Sequence, residues 1–200
     1  VDIATPTHLH AAMTLQAAEE GKHVHCEKPF CRHLGEGAKA WEAVKAKGLK
    51  LVVGETYVFI SSHMKARRLI EEGRLGEIRH FRGAYLQDWI VDPEFPLVWR
   101  LDRTVAGSGA LGDIGAHIID LALYLVGGIA EVTADLKTFV DRRPLPESGS
   151  AFVAKKKAGV RRLGIVTVDD AATILARFSG GALGTFEATR FATGRKNANQ

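Results

Sequence analysis

The first quarter of the chain alternates short apolar runs with stretches of helical periodicity. VDIAT reads as a strand. TPTHLH then turns into a helix, with Pro6 near its start, where a missing N–H costs nothing. Ala11, Ala12, Leu15 and Ala18 supply the apolar stripe of that helix, and Gly21 closes it. KHVHCEKP reads as a second strand, stopped by Pro29. A second helix is expected from Leu34 to Lys47, with Ala38, Trp41, Val44 and Lys45 at helical spacing and Gly48 as its stop. LKLVVGET is a third strand. Strand, helix, strand, helix, strand at this spacing predicts right-handed crossovers and a parallel sheet.

The pattern changes near residue 57. An amphipathic helix is expected from Ser61 to Glu72, ended by Gly73, and EIRHFRGAYLQ alternates as a strand. An irregular stretch with Pro93, Pro96 and two tryptophans leads to a helix expected over 109–126. AEVTADLKTFV reads as a long strand, and TVDDAATILARF pairs with ALGTFEATRF across the hairpin signal Ser179 to Gly181. The fold class is therefore α/β: a parallel α/β segment over residues 1–57, then an α+β domain with consecutive antiparallel strands over 58–200.

Composition is ordinary for a globular protein, with 46% hydrophobic and 25% charged residues. The apolar runs fall far short of the roughly 18 residues that span a membrane, and the opening VDIATP lacks a basic secretory leader. Cys26 and Cys31 are too few and wrongly spaced for a disulfide framework and fit a reducing, cytoplasmic compartment. The net charge of +4 gathers in Lys155 to Arg162 without aromatics, which suits a solvated loop better than a nucleic-acid footprint. Both ends read as cut: Val1 stands in a strand already under way, and GRKNANQ stops without a closing element.

Gly107, Gly109 and Gly112 spell G-x-G-x-x-G. A dinucleotide fingerprint needs a buried strand before the first glycine and an acid closing the next strand. WRLDRTVA is too charged for that strand, and Glu131 would open the next strand rather than close it. The glycines suit close backbone approach instead. The chemistry then moves to the helix, where Asp113, His117 and Asp120 share one face at 100° per residue. Three readings stay open for them: a structural acid–imidazole pair, a metal site that three ligands on one helix satisfy poorly, or a general base oriented by its carboxylate. Lys28 lies past the carboxyl end of a parallel strand, where ligands of open α/β sheets bind. It is either an exposed turn lysine or a charge presented to an oxygen, with Glu27 beside it. The turn at Thr5 and Pro6 opens a helix, where N–H groups favour an anion or cofactor. The pairs His8-x-His10 and His23-x-His25 lack a further ligand and read as packing, so no metal is expected.

Taken together, VDIATPTHLHAAMTLQAAEEGKHVHCEKP, EEGRLGEI and GSGALGDIGAHIIDLALYLVGG resemble the glucose–fructose oxidoreductase / inositol dehydrogenase / rhizopine-catabolism family of NAD(P)-dependent oxidoreductases. The resemblance covers nearly the whole chain. It implies that residues 1–57 are the C-terminal half of a Rossmann domain for NAD or NADP, and that 58–200 form a second domain, with a large, mostly antiparallel sheet, for a sugar or polyol. It makes Lys28 the lysine near nicotinamide and substrate, Asp113 the acid that bonds a substrate hydroxyl, and His117 the general base. Thr5, Pro6, His8, Glu27 and Pro29 match the cofactor-lining turns, and Trp99 and Arg100 match a segment reaching toward cofactor or substrate. The family's pyrophosphate turn and its NAD/NADP-selecting acid would precede residue 1, and Val58 stands where many members carry arginine. The resemblance also implies a homodimer or tetramer. Rival readings are an NAD-dependent glycoside hydrolase of the same family and a non-catalytic nucleotide-binding protein.

Overall fold

The computed structural model describes residues 1–146 and 162–200. In chain order the elements are β1 (Asp2–Ile3), α1 (His10–Glu19), β2 (Val24–Cys26), α2 (Leu34–Ala46), β3 (Leu51–Val53), α3 (Ser61–Glu71), β4 (His80–Leu86) and α4 (Arg103–Ala106). They continue with α5 (Ala116–Leu125), β5 (Ile129–Lys137), β6 (Arg142–Pro144), β7 (Leu163–Ile165), β8 (Ala171–Phe178), β9 (Leu183–Thr189) and β10 (Ala198–Asn199). The chain forms two compact units. One joins Val1–Glu55 with Glu94–Asp113 and Asp141–Val168; the other joins Thr56–Pro93 with Ile114–Val140 and Asp169–Gln200. The basic run 155–162 lies outside the described residues except for the exposed Arg162.

The first unit is built on a parallel sheet in the order β1-β2-β3. Ile3, Val24 and Cys26 of the sheet bury against Ala17 of α1, with Phe30 and Leu51 packed around them. The buried stripe of α2 is Gly37, Ala40 and Val44. This corrects the expected stripe: Ala38 and Lys45 are exposed, and Trp41 is 48% exposed. Small residues face inward because space there is short. A Cβ on Gly37 would stand 2.7 Å from Cys31 Sγ, and methyl-sized side chains let α1 and α2 approach closely, which a tryptophan would prevent. β6 and β7 add a separate antiparallel pair.

The second unit carries a five-stranded sheet in the order β10-β4-β9-β8-β5, antiparallel except for the parallel pair β4–β9. β8 alternates buried and exposed positions along its whole length, as the sequence pattern requires of a sheet covered on one face. Gly181, at φ 90°, turns β8 into β9. Phe81 of β4 stacks with Phe178 and Phe186 on the covered side. Gly83 leaves room there for Ile118 of α5, 3.5 Å from where its Cβ would stand. Asp170, fully buried, accepts N–H bonds from Phe139 at 2.7 Å and Val140 at 3.2 Å, which pins the chain leaving β5.

The single helix expected over 109–126 is divided. Leu111–Gly115 is a π turn, and α5 follows it. The rule of 100° per residue therefore holds from Ala116 onward and does not extend back to Asp113.

Candidate active site

Two adjacent strand ends create the cleft of the first unit. β1 ends at Ile3, and Pro6 then caps a 3-10 turn, Thr7–Leu9, that leads into α1. β2 ends at Cys26 and hands the chain to Glu27, Lys28 and Pro29. The Glu27 N–H donates to the Ile3 carbonyl at 2.8 Å, so the two loops start side by side. Gly54 follows β3 and leaves space for the Glu27 carboxylate: an added Cβ would lie 3.3 Å from its carboxyl atoms. Between the loops opens a cleft of about 300 Å³, outside the carboxyl ends of the strands.

The far wall comes from the irregular stretch before α4. Leu101 is fully buried and anchors the 3-10 turn Trp99–Leu101, which leaves Trp99 and Arg100 to line the cleft. The Arg100 guanidinium sits 4.3 Å from the Trp99 ring centroid, a cation–π contact that braces both side chains. Asp102 accepts from the Thr104 N–H at 2.8 Å and starts α4. Arg32 donates to the Thr104 carbonyl at 2.7 Å and pairs with Glu36, which ties this wall to the loop after β2. Hydrogen bonding from Arg32 holds the Glu36 carboxyl below its ordinary range.

At one end of the cleft Lys28 meets Asp113. The ammonium donates to Asp113 Oδ1 at 3.1 Å and to the Asp113 carbonyl oxygen at 2.5 Å. The two side chains are 19% and 25% exposed, so they are partly desolvated yet still reachable by a ligand. Thr5, Pro6, Glu27, Pro29, Trp99 and Arg100 line the same cleft as Lys28 and Asp113. His8 is not among the lining residues; its neighbour Thr7 is. Polar loop ends, a cation–π-braced arginine and an ammonium beside a carboxylate are groups that suit the polar nicotinamide end of a dinucleotide.

His117 belongs to the second unit. It is buried on α5, with the Tyr57 ring centroid 4.7 Å and the Tyr85 centroid 5.8 Å from its own. The two tyrosine hydroxyls are hydrogen-bonded at 2.7 Å. Tyr85 donates onward to Asn197 Oδ1 at 3.0 Å, and Gln87 donates to the same oxygen at 2.8 Å. Trp89 Nε1 donates to Gln87 Oε1 at 3.0 Å. This polar chain beside the imidazole was missed in the sequence. Its signal was the alternation of β4 and its continuation: Tyr85 and Gln87, two apart, point to the same side.

The outer glycines of G-x-G-x-x-G, Gly107 and Gly112, serve packing. A Cβ on Gly107, at φ 84°, would stand 2.7 Å from the Arg32 Cα, and one on Gly112 would overlap Ser108 Oγ. Among the described residues no cluster of three or more metal-ligating side chains occurs, and no helix is long and apolar enough to cross a membrane.

Comparison with known proteins agrees with this architecture. Residues 1–55 match the oxidoreductase family with an NAD-binding Rossmann fold, and residues 63–200 match the GFO/IDH/MocA C-terminal domain. Levoglucosan dehydrogenase of Pseudarthrobacter phenanthrenivorans is 48% identical over 198 residues, which cover 98% of this chain and 50% of that protein. The structure of a levoglucosan dehydrogenase in complex with NADH and levoglucosan superposes with a TM-score of 0.89 at 46% identity, covering 100% of this chain and 50% of that one. An oxidoreductase domain protein from Kribbella flavida, 51% identical, gives 0.88 with the same coverage. The chain spans about half the length of these relatives. With both halves of the family pattern matched in order, the chain belongs to the GFO/IDH/MocA family of oxidoreductases.

Proposed function

We propose that this chain carries the nicotinamide-side and substrate-side residues of an enzyme that moves hydride between NAD(P) and a secondary alcohol of a sugar or polyol. In this reading residues 1–57 serve the cofactor, 58–200 serve the substrate, and Trp99 and Arg100 serve the cofactor from within the second span. The observation that carries it is the Lys28–Asp113 pair, 3.1 Å apart in a cleft at the strand ends. Relatives named as a levoglucosan dehydrogenase and as an NADP(+)-dependent scyllo-inositol 2-dehydrogenase support the substrate class.

Bound nicotinamide supplies the hydride acceptor. The remaining work is proton transfer and charge placement. His117 removes the hydroxyl proton, and the tilted Tyr57 and Tyr85 rings hold its imidazole in place. Lys28 stabilises the developing alkoxide or carbonyl oxygen with its ammonium, and Asp113 holds that ammonium and orients the substrate hydroxyl. The hydroxyls and amides of Tyr57, Tyr85, Asn197 and Gln87 suit a polyhydroxylated ligand. The two free thiols, Cys26 and Cys31, suit a reducing compartment.

We also propose self-association through the open face of the second unit's sheet. Leu175 and Leu183 stand there 54% and 51% exposed, and Arg177 pairs with Glu131 at 3.3 Å on the same face. A face that bears exposed leucines together with both charge signs can complement itself, so a second copy of the chain is its partner.

The test is turnover of sugars and polyols by the full-length protein, followed as reduced nicotinamide. Lys28→Met and His117→Asn should each lower kcat by about 10²–10³. If turnover of every accepted substrate stays within a few-fold in both variants, the assignment is wrong. If substrate is consumed without reduced nicotinamide accumulating, the net reaction is a different one.

A further inference from the structure

Beneath the cleft lies an imidazole that the reaction above does not use. His10 opens α1 and is 1% exposed. Both of its ring nitrogens meet carbonyl oxygens: Nε2 is 2.7 Å from the Thr5 oxygen, and Nδ1 is 2.8 Å from the Pro29 oxygen. A neutral imidazole has one N–H and one bare nitrogen. Which of the two contacts carries the N–H is set by the tautomer, and the ring stands between the two carbonyls in either case.

The partners give this geometry its meaning. Thr5 belongs to the turn after β1, and Pro29 directly follows Lys28 in the loop after β2; both line the cleft. Resting on the reading of Lys28 above, we propose that His10 is a positioning residue whose buried ring, held between the Thr5 and Pro29 carbonyls, locks the Lys28–Pro29 loop to the Thr5–Pro6 turn, so that the Lys28 ammonium is fixed on Asp113. The histidine spacing at His8 and His10 thus marks a two-carbonyl clamp, with both nitrogens of His10 already engaged.

Two measurements on the full-length protein test this. With histidine labelled in the ring nitrogens, the magnetic-resonance signals lost in His10→Gln identify this residue. A ring N–H held on a buried carbonyl should exchange slowly with solvent in the folded wild type, and exchange as fast as that of an exposed histidine would overturn the clamp. In kinetics, His10→Ala should lower kcat/KM by about 10²-fold, the scale on which a displaced catalytic group costs rate, with most of the loss in kcat. His10→Gln, which keeps one donor, should lose about tenfold. In a Lys28→Met background His10→Ala should change the rate by no more than about twofold, because the two act as one unit. Equal losses in both backgrounds would make His10 merely structural and overturn the proposal. If Lys28→Met alone leaves the rate unchanged, the reading of Lys28 fails and with it the catalytic consequence, while the ring-nitrogen signals still decide whether the clamp exists.

Discussion

The side chain of Cys26 illustrates how a single residue's burial becomes a measurable property. It ends β2, is fully buried, and its thiol is pushed up to about 11, chiefly by desolvation. In the unfolded chain the thiol ionises near 9.0. The folded state therefore holds the proton more tightly. Its stabilising share is complete below the unfolded value and is lost as pH rises through the folded one. The unfolding free energy should fall by about 2 kcal/mol more between pH 9 and pH 11 in the wild type than in Cys26→Ala. Denaturant melts across that range check it, and parallel curves for the two proteins would refute it. Burial of this kind was half legible in the sequence. The alternation of KHVHC places Val24 and Cys26 on one face, and both are buried. The clamp role of His10 was not legible, because its partners are main-chain carbonyls 5 and 19 residues away, and no side-chain pattern records a carbonyl.

At the scale of elements, the strands and helices followed their periodicities closely, and the misses have definite causes. The stripe of α2 was misassigned because helical spacing alone does not say which stripe turns inward: Val44 is buried as expected, but the helix packs with Gly37, which closely approaches Cys31, and Ala40 inward in place of Ala38 and Trp41. The π turn at 111–115 was invisible because it is set by hydrogen bonding and not by residue type. The glycine motif, by contrast, was placed correctly by the charged character of WRLDRTVA, and its two outer glycines should now behave differently. Gly107→Ala forces a side chain into the left-handed region, at about 1–2 kcal/mol, and drives a Cβ into the Arg32 backbone. A total loss of about 2–4 kcal/mol follows. Gly112→Ala meets the Ser108 side chain, whose hydroxyl can rotate away and whose Cβ lies 3.3 Å off, and should cost about 1 kcal/mol. Thermal melts of the two variants decide this, and equal losses would contradict the packing account.

For the whole molecule, the open sheet face of the second unit makes the most exposed claim. β8 presents Leu175 and Arg177 to solvent, and Arg177 stands in register between Glu131 on β5 and the exposed Leu183 on β9. A solvated sheet face ordinarily carries polar residues at its outward positions, so two large exposed aliphatic groups on neighbouring strands are out of place unless another surface covers them. In a twofold contact each residue meets the same face of the other copy, and Glu131 and Arg177 can exchange their intramolecular partner for an intermolecular one without leaving a charge unpaired. The charged pair then selects the register, while the leucines supply the association energy, about 1.5–3 kcal/mol for each leucine that becomes fully buried. The full-length protein should have a solution mass that is an even multiple of its chain mass. The double variant Leu175→Glu/Leu183→Glu, which sets like charges against each other across the contact, should lower that mass at micromolar concentration while leaving the melting temperature of the chain nearly unchanged. Light scattering coupled to gel filtration reads the outcome. A wild type of single-chain mass, or a variant that keeps the wild-type mass, would remove this face from the assembly.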